Sequence, residues 1–195
     1  MLIFFYLVGK VKDYPGTLFL IVGNSGSGKD SIISGVIEKY PLNLKKIYNP
    51  KRYITRPPSK TEENIHITPI EFKKLSEQGQ FAFEWHIYGL DYGIPTKIDE
   101  FLLKEHPVIV NVSRTIIKEA RKSYKNLKVI FINVPLEITI DRLKERGREK
   151  EKYLDKRIHR ARDHQEFQEA DYLIDNTGPL DYAVDRLLDY IILHL

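Results

Sequence analysis

Two periodicities alternate along this chain. Thr17–Val22, Val108–Val112 and Val129–Val134 are short, almost unbroken apolar runs with the length and β-branched content of buried strands, the last two predicted as central ones. Between them the apolar residues follow a helical spacing. Ile32, Ile33, Val36 and Ile37 fall on one face of a helix over 28–40. Helices are also predicted over Pro69–Gln78, Thr96–Lys104, 115–124, Leu136–Arg146 and Leu180–Leu193, and a long charged one over Lys150–Glu169. Thr68, Pro69 and Glu71 give the second of these a start signal, and Gly79 a stop. Lys51–Thr55, Phe81–Tyr88 and Tyr172–Asp175 read as shorter strands, and Tyr92–Pro95 as a turn. Strands alternating with helices imply an α/β fold: a central, mostly parallel sheet flanked by helices, within one domain over 1–195. No internal repeat or low-complexity linker interrupts it.

Between the first strand and the first helix lies Gly23-Asn24-Ser25-Gly26-Ser27-Gly28-Lys29-Asp30-Ser31. A strand, a glycine-rich turn ending in Gly-Lys, and a helix form a phosphate loop, whose backbone N–H groups converge on an anion at a helix N-terminus. Lys29 reaches the β- and γ-phosphates of a nucleotide in this reading. The residue after the lysine is ordinarily Ser or Thr, whose hydroxyl binds magnesium; here it is Asp30, then Ser31. Asp30 reads either as a carboxylate favoured by the helix dipole or as a magnesium ligand in place of the hydroxyl. Ser31 is a poor substitute, because one helical step turns its side chain by about 100°.

Charge sharpens the picture. Residues 142–162 carry a net +6 within a chain of net +4, leaving −2 elsewhere. A local basic block on a nearly neutral body suits a small polyanion better than a long nucleic acid, and no nucleic-acid motif accompanies it. Arg142 and Arg146 share one helix face, Arg157 and Arg160 another, and Gly147 between them reads as a hinge. The chain has no cysteine, which excludes disulfides and thiolate metal sites and is compatible with a cytoplasmic location. The apolar N-terminal run Leu2–Val8 is too short to span a bilayer and has no basic residue before it. It reads as an extra strand or a packed arm, on its own domain or across a homodimer, and not as a membrane anchor.

The motifs occur in an order that resembles a known family. GNSGSGKDS (23–31), RYITRPP (52–58), ENIHIT (63–68), EWHIYGLDYGIP (84–95), VNVSR (110–114) and RLKERGRE (142–149) together resemble the ribose 1,5-bisphosphate phosphokinases. These belong to the guanylate-kinase-like branch of the P-loop nucleoside-monophosphate kinases. The likeness covers about residues 17–190, and 1–16 stand outside it as an N-terminal extension.

The resemblance implies a P-loop kinase fold with an acceptor-binding region (44–95) and an arginine-rich lid (142–162). It implies Mg2+ with ATP as co-substrate and a phosphate oxygen as acceptor, hence chemistry by alignment and charge neutralisation rather than a strong base. Lys29, Arg146 and Arg157 are then the expected catalytic cations. Gly23 to Ser31, Arg142, Arg148 and, in the loop after the last strand, Asn176 are expected on ATP, with Asp30 on the metal. Arg56 and Tyr92 match the family's acceptor-phosphate residues; the family's second arginine falls at Ser59. Guanylate kinases carry aspartates where Asn111 and Ser113 stand. That loss of charge, with Arg114 following, favours an acceptor with more phosphate and no guanine. Arg114, assisted by Arg52 or Lys60, is the expected grip on its second phosphate, with Ser113 beside it. Glu84 matches the glutamate that binds guanine and speaks for the alternative, a guanylate-type nucleotide kinase.

Overall fold

The apolar runs pair side by side as parallel strands, each buried by helices on both faces. The computed structural model describes residues 11–57, 64–145 and 151–195. Strands β1 (Leu18–Gly23), β6 (Val108–Asn111), β7 (Leu127–Asn133) and β8 (Tyr172–Asp175) form a parallel sheet in the order β6-β1-β7-β8. Leu18 stands beside Val108 on one side and Leu127 on the other, which sets the register of three strands. Alternate residues of β1 feed two separate cores. Phe19 and Ile21 pack with Ile32 and Val36 of α1 (Lys29–Lys39) and with Val184, Leu187 and Ile191 of α7 (Leu180–Leu193). Leu18, Leu20 and Val22 pack on the other side with Ile98, Leu102 and Ile117, from α3 (Ile98–Leu103) and α4 (Ile117–Ser123). Each such aliphatic side chain, fully buried, contributes about 1.5–3 kcal/mol. These two layers fix where the strand ends point, and so fix the phosphate loop.

A second sheet rises from the first. It runs β3-β2-β5-β4, with β2 (Tyr53–Ile54) parallel to β3 (Ile65–His66) and antiparallel to β5 (Leu90–Pro95), and β5 antiparallel to β4 (Phe81–Ile87). Helix α2 (Pro69–Glu77) begins with the expected signal: the Thr68 hydroxyl accepts from the Glu71 N–H while the Glu71 carboxylate accepts from the Thr68 N–H.

Four expectations need correction. Tyr92–Pro95 is strand, not turn; the reversal is four residues earlier, at Tyr88 and Gly89, which both take positive φ as a tight hairpin requires. The run Val108–Val112 is buried but lies at an edge of the four-stranded ladder, where Tyr48 makes a single parallel bridge to Val108. The charged helix α6 (Glu151–Asp163) stops well short of Glu169, and beyond it Phe167 meets Phe131 of β7 edge-on. Ile37, assigned to the inner face of α1, is 40% exposed. Helix α5 (Leu136–Glu145) completes the set.

Residues 11–16 fold onto this same chain. Lys12 forms one backbone bridge to Tyr124, and its ammonium donates to Asp99 at 2.6 Å and to the Tyr124 hydroxyl at 3.0 Å. The expected arm before them, and Lys60, Ser59, Arg146, Gly147 and Arg148, lie outside the described residues. Among the described residues no helix is long and apolar enough to cross a membrane.

Candidate active site

The candidate site sits at the carboxyl ends of β1 and β6, where open parallel sheets bind ligands. The loop from β1 to α1 is shaped by one glycine and one asparagine. Gly28 adopts φ +87°, and a Cβ there would stand 2.4 Å from Nδ2 of Asn176. That amide, 4% exposed, donates to the Ser27 carbonyl at 2.8 Å. Asn176, expected on ATP, therefore has its amide in the scaffold of the loop; its own carbonyl accepts from Arg142 Nη2 at 3.0 Å. Lys29 Nζ reaches back across the loop to the carbonyls of Gly23 at 3.0 Å and Asn24 at 2.7 Å.

The cleft beside the loop is strongly cationic. Among the described residues, Lys29, Arg52, Arg56, Arg114, Arg157 and Arg160 line it, against one acid, Asp30. Asn111 and Ser113 reach it from the end of β6 as neutral groups, Tyr92 and Trp85 from the second sheet. Trp85 and Tyr92 are cross-strand partners and stack, with ring centroids 5.2 Å apart and planes 5° from parallel. Their alternation puts Glu84 on the opposite face, exposed and outside the lining of the cleft. The expectation that Glu84 reads the acceptor does not fit this placement, because a strand turns successive side chains to opposite faces. His86 shares the outer face and meets Asp91 at 2.6 Å.

Asp30 is held from the acceptor side. Its Oδ1 accepts from Asn111 Nδ2 at 2.8 Å and from Arg52 Nη2 at 3.4 Å, and Arg52 Nε also donates to Asn64 at 3.3 Å. Arg52, Asp30 and Asn111 form the wall between the main cleft and an adjoining cavity lined by Ser34, Asn49 and Asn64. Ser31 faces the other way, into a separate pocket with Arg142, Glu145 and Asn176, as the turn of one helical step requires. Among the described residues no group of three or more His, Cys, Asp and Glu gathers to hold a metal. Magnesium is commonly bound by one or two carboxylates together with substrate phosphates and water. A lone Asp30 beside a phosphate loop fits that pattern.

Helix α6 closes the cleft from above. Arg157 Nη1 donates to the Ser25 hydroxyl at 2.5 Å, and its guanidinium lies 5.2 Å from the Tyr88 ring centroid. Arg114, expected to face a second acceptor phosphate, lines the cleft but has both terminal nitrogens bonded to the protein: Nη1 donates to the His164 carbonyl at 2.9 Å and Nη2 to the Asn24 side chain at 3.1 Å. Burial, and then the nearby Arg160, push its guanidinium pKa down to about 10, so it remains charged at neutral pH. Ser113 accepts from the Thr115 N–H at 3.3 Å and caps the short 3-10 turn that starts at Arg114.

Arg160, paired with Arg157 on one face of the basic block in the sequence, stands beside it in the cleft; Asn111 as the anchor of Asp30, and Trp85 and Tyr88 as aromatic walls, lie outside the sequence expectations. Trp85 had a sequence signal, as the neighbour of Glu84 in a strand whose faces alternate. The Asn111–Asp30 bond joins residues 81 apart and had none.

Residues 16–192 match the guanylate kinase family. A ribose 1,5-bisphosphate phosphokinase PhnN of Pseudomonas paraeruginosa is 36% identical over 90% of this chain and 95% of its own length. The PhnN protein of Bradyrhizobium diazoefficiens is 34% identical over 91% of this chain and 88% of its own. Among solved structures, guanylate kinase from Anaplasma phagocytophilum superposes with a TM-score of 0.68, covering 93% of this chain and 87% of that one at 17% identity. That likeness is one of fold.

Proposed function

The chain belongs to the guanylate kinase family and within it to the ribose 1,5-bisphosphate phosphokinases, and from that premise we propose that it transfers the γ-phosphoryl group of ATP to the 1-phosphate of ribose 1,5-bisphosphate, yielding 5-phosphoribosyl 1-diphosphate and ADP. The observation that carries this reading is the charge of the cleft: among the described residues, six cationic side chains against a single carboxylate. With ATP common to both readings, the bisphosphate brings one phosphate group more than a nucleoside monophosphate, and the neutral Asn111 and Ser113 add no negative charge against it.

In this mechanism an oxygen of the acceptor phosphate attacks the γ-phosphorus as the bond to the β,γ-bridging oxygen breaks. The attacking group is already anionic near neutral pH, so the residues position and neutralise rather than remove a proton. Gly23 to Ser31 cradle the triphosphate through backbone N–H groups, and Lys29 turns from its loop carbonyls toward the β- and γ-oxygens. Arg157, with Arg146 and Arg148, supplies positive charge to the transferring group as the lid closes and sheds water. Arg142 serves the nucleotide end. Arg56 and the Tyr92 hydroxyl hold the acceptor phosphate, and Arg52, at the wall of the amide-lined cavity, faces the sugar and its far phosphate. Magnesium, held through Asp30 and the nucleotide phosphates, would supply further neutralisation of the β- and γ-oxygens.

The wider reading is a single kinase unit, with 44–95 as acceptor region and 142–162 as lid, acting in the cytoplasm as monomer or homodimer without a nucleic-acid partner. Phosphorus NMR of the protein mixed with Mg-ATP and ribose 1,5-bisphosphate tests the function: loss of the 1-phosphate resonance with growth of a diphosphate-ester pair supports it. Retention of the bisphosphate there, with ATP consumed in a parallel sample that holds GMP instead, contradicts it.

A further inference from the structure

Arg114 and Asn24 converge on one end of one helix. Helix α6 ends at Asp163, so the carbonyls of Ala161 and His164 belong to its C-terminal turn and the residue beyond, where backbone acceptors lack helical partners and the dipole is negative. Asn24 Nδ2 donates to the Ala161 carbonyl at 3.3 Å and to the His164 carbonyl at 3.1 Å. Arg114 Nη1 donates to that same His164 carbonyl at 2.9 Å, and Nη2 closes the triangle on Asn24 Oδ1 at 3.1 Å. The guanidinium lies 4.8 Å from the Phe131 ring centroid and 5.8 Å from that of Phe167. Asn24 is 9% exposed, and Arg114 Nε is buried with no hydrogen-bond partner among the described residues. A desolvated cation stacked on two rings is a costly arrangement for an arginine that only lines a cleft. One and two turns before this anchor, α6 carries Arg160 and Arg157, the latter bonded to Ser25 of the phosphate loop.

The geometry points to Arg114 and Asn24 as positioning residues that clamp the C-terminal end of α6 to the phosphate loop and so set where Arg157 and Arg160 stand over it. Asn24 lies within the loop, so the loop and the lid share a rigid joint. The lid swings from that end, and Arg114 acts on phosphoryl transfer through Arg157 rather than by touching the acceptor. This rests on the kinase reading above for the identity of the reaction, but the clamp itself concerns only the loop and the lid.

The test is a double-mutant cycle in the full chain. Arg114→Lys keeps the charge and loses the forked geometry, Asn24→Ala removes the other half of the clamp, and each is combined with Arg157→Ala. The expected result is that Arg114→Lys lowers kcat about tenfold in the wild-type background, with the KM for the bisphosphate little changed. In the Arg157→Ala background it should have almost no further effect, because residues acting through one another are non-additive. Losses that multiply, or a raised acceptor KM at unchanged kcat, overturn the proposal; the second outcome returns Arg114 to the acceptor. If Arg114→Lys does not fold, the Asn24→Ala arm carries the same comparison. Affinity for a fluorescent ATP analogue is read on every variant. If the wild type transfers nothing to the bisphosphate, the functional reading fails while coupling or additivity in analogue binding still decides the clamp.

Discussion

Asn111 Nδ2 stands 2.8 Å from Asp30 Oδ1, joining the end of β6 to the first turn of α1. The side chain that a guanylate kinase would present here is a carboxylate, and a second carboxylate at this distance from Asp30 would repel it. The amide instead donates, and with Arg52 holds the Asp30 carboxylate at the wall of the cleft. The neutral residue in β6 and the acidic residue in the phosphate loop are therefore two halves of one arrangement.

Asn111→Asp should lower turnover by about 10–100-fold and raise the magnesium needed for half-maximal rate, since like charges in contact raise one carboxyl pKa by one or more units. Adding Asp30→Ser should recover part of the loss by removing the repulsion. Steady-state rates across a magnesium titration check it; a double variant worse than Asn111→Asp would contradict the pairing.

Lys29→Ala should reduce kcat by at least about 10²–10³-fold, the scale of removing a donor aimed at developing charge. The fold should survive, because the lysine is part-buried in a surface loop, where its ammonium donates to the Gly23 and Asn24 carbonyls and the Ser27 hydroxyl, and it takes no part in either apolar core. Single-turnover kinetics alongside a thermal melt separate the two effects.

Tyr92→Phe keeps the ring stacked on Trp85 and deletes only the hydroxyl. The KM for the acceptor should rise about tenfold or more, as expected for losing a hydrogen bond to a charged group, with the KM for ATP unchanged. Initial rates with each substrate varied in turn measure this.

Tyr124 tests the rear of the sheet. Burial first, then its hydrogen bond to Asp99, raise the phenol well above its ordinary value. A folded-state pKa above the unfolded one gives stability that is complete below pH ~10 and declines as pH rises beyond it. Denaturant midpoints measured from pH 8 to about 11 should fall more steeply for wild type than for Tyr124→Phe. Parallel curves would show that Tyr124 does not carry this dependence.

Much of this was legible in the sequence because it is local. The phosphate loop has its glycines and lysine in consecutive positions, and the start of α2 is written in Thr68, Pro69 and Glu71. Glycine occurs both at Tyr88-Gly89 and within Tyr92–Pro95, the stretch that reads as a turn, and only strand pairing tells them apart. Charged residues continue past Asp163, so the pattern extends the helix to Glu169, whereas α6 stops at Asp163 and Phe167 packs edge-on against Phe131. For Arg114 and Glu84, a matching position in a motif carries no information on burial between two phenylalanines or on the face of a strand, and these decide where their side chains go.

The most direct measurement is kcat/KM for phosphoryl transfer from Mg-ATP to a panel of ribose 1,5-bisphosphate, GMP, dGMP and AMP. The bisphosphate should be preferred by several orders of magnitude, because the cleft presents Arg52, Asn111 and Ser113 and turns Glu84 away. Rapid turnover of GMP with none of the bisphosphate would contradict it.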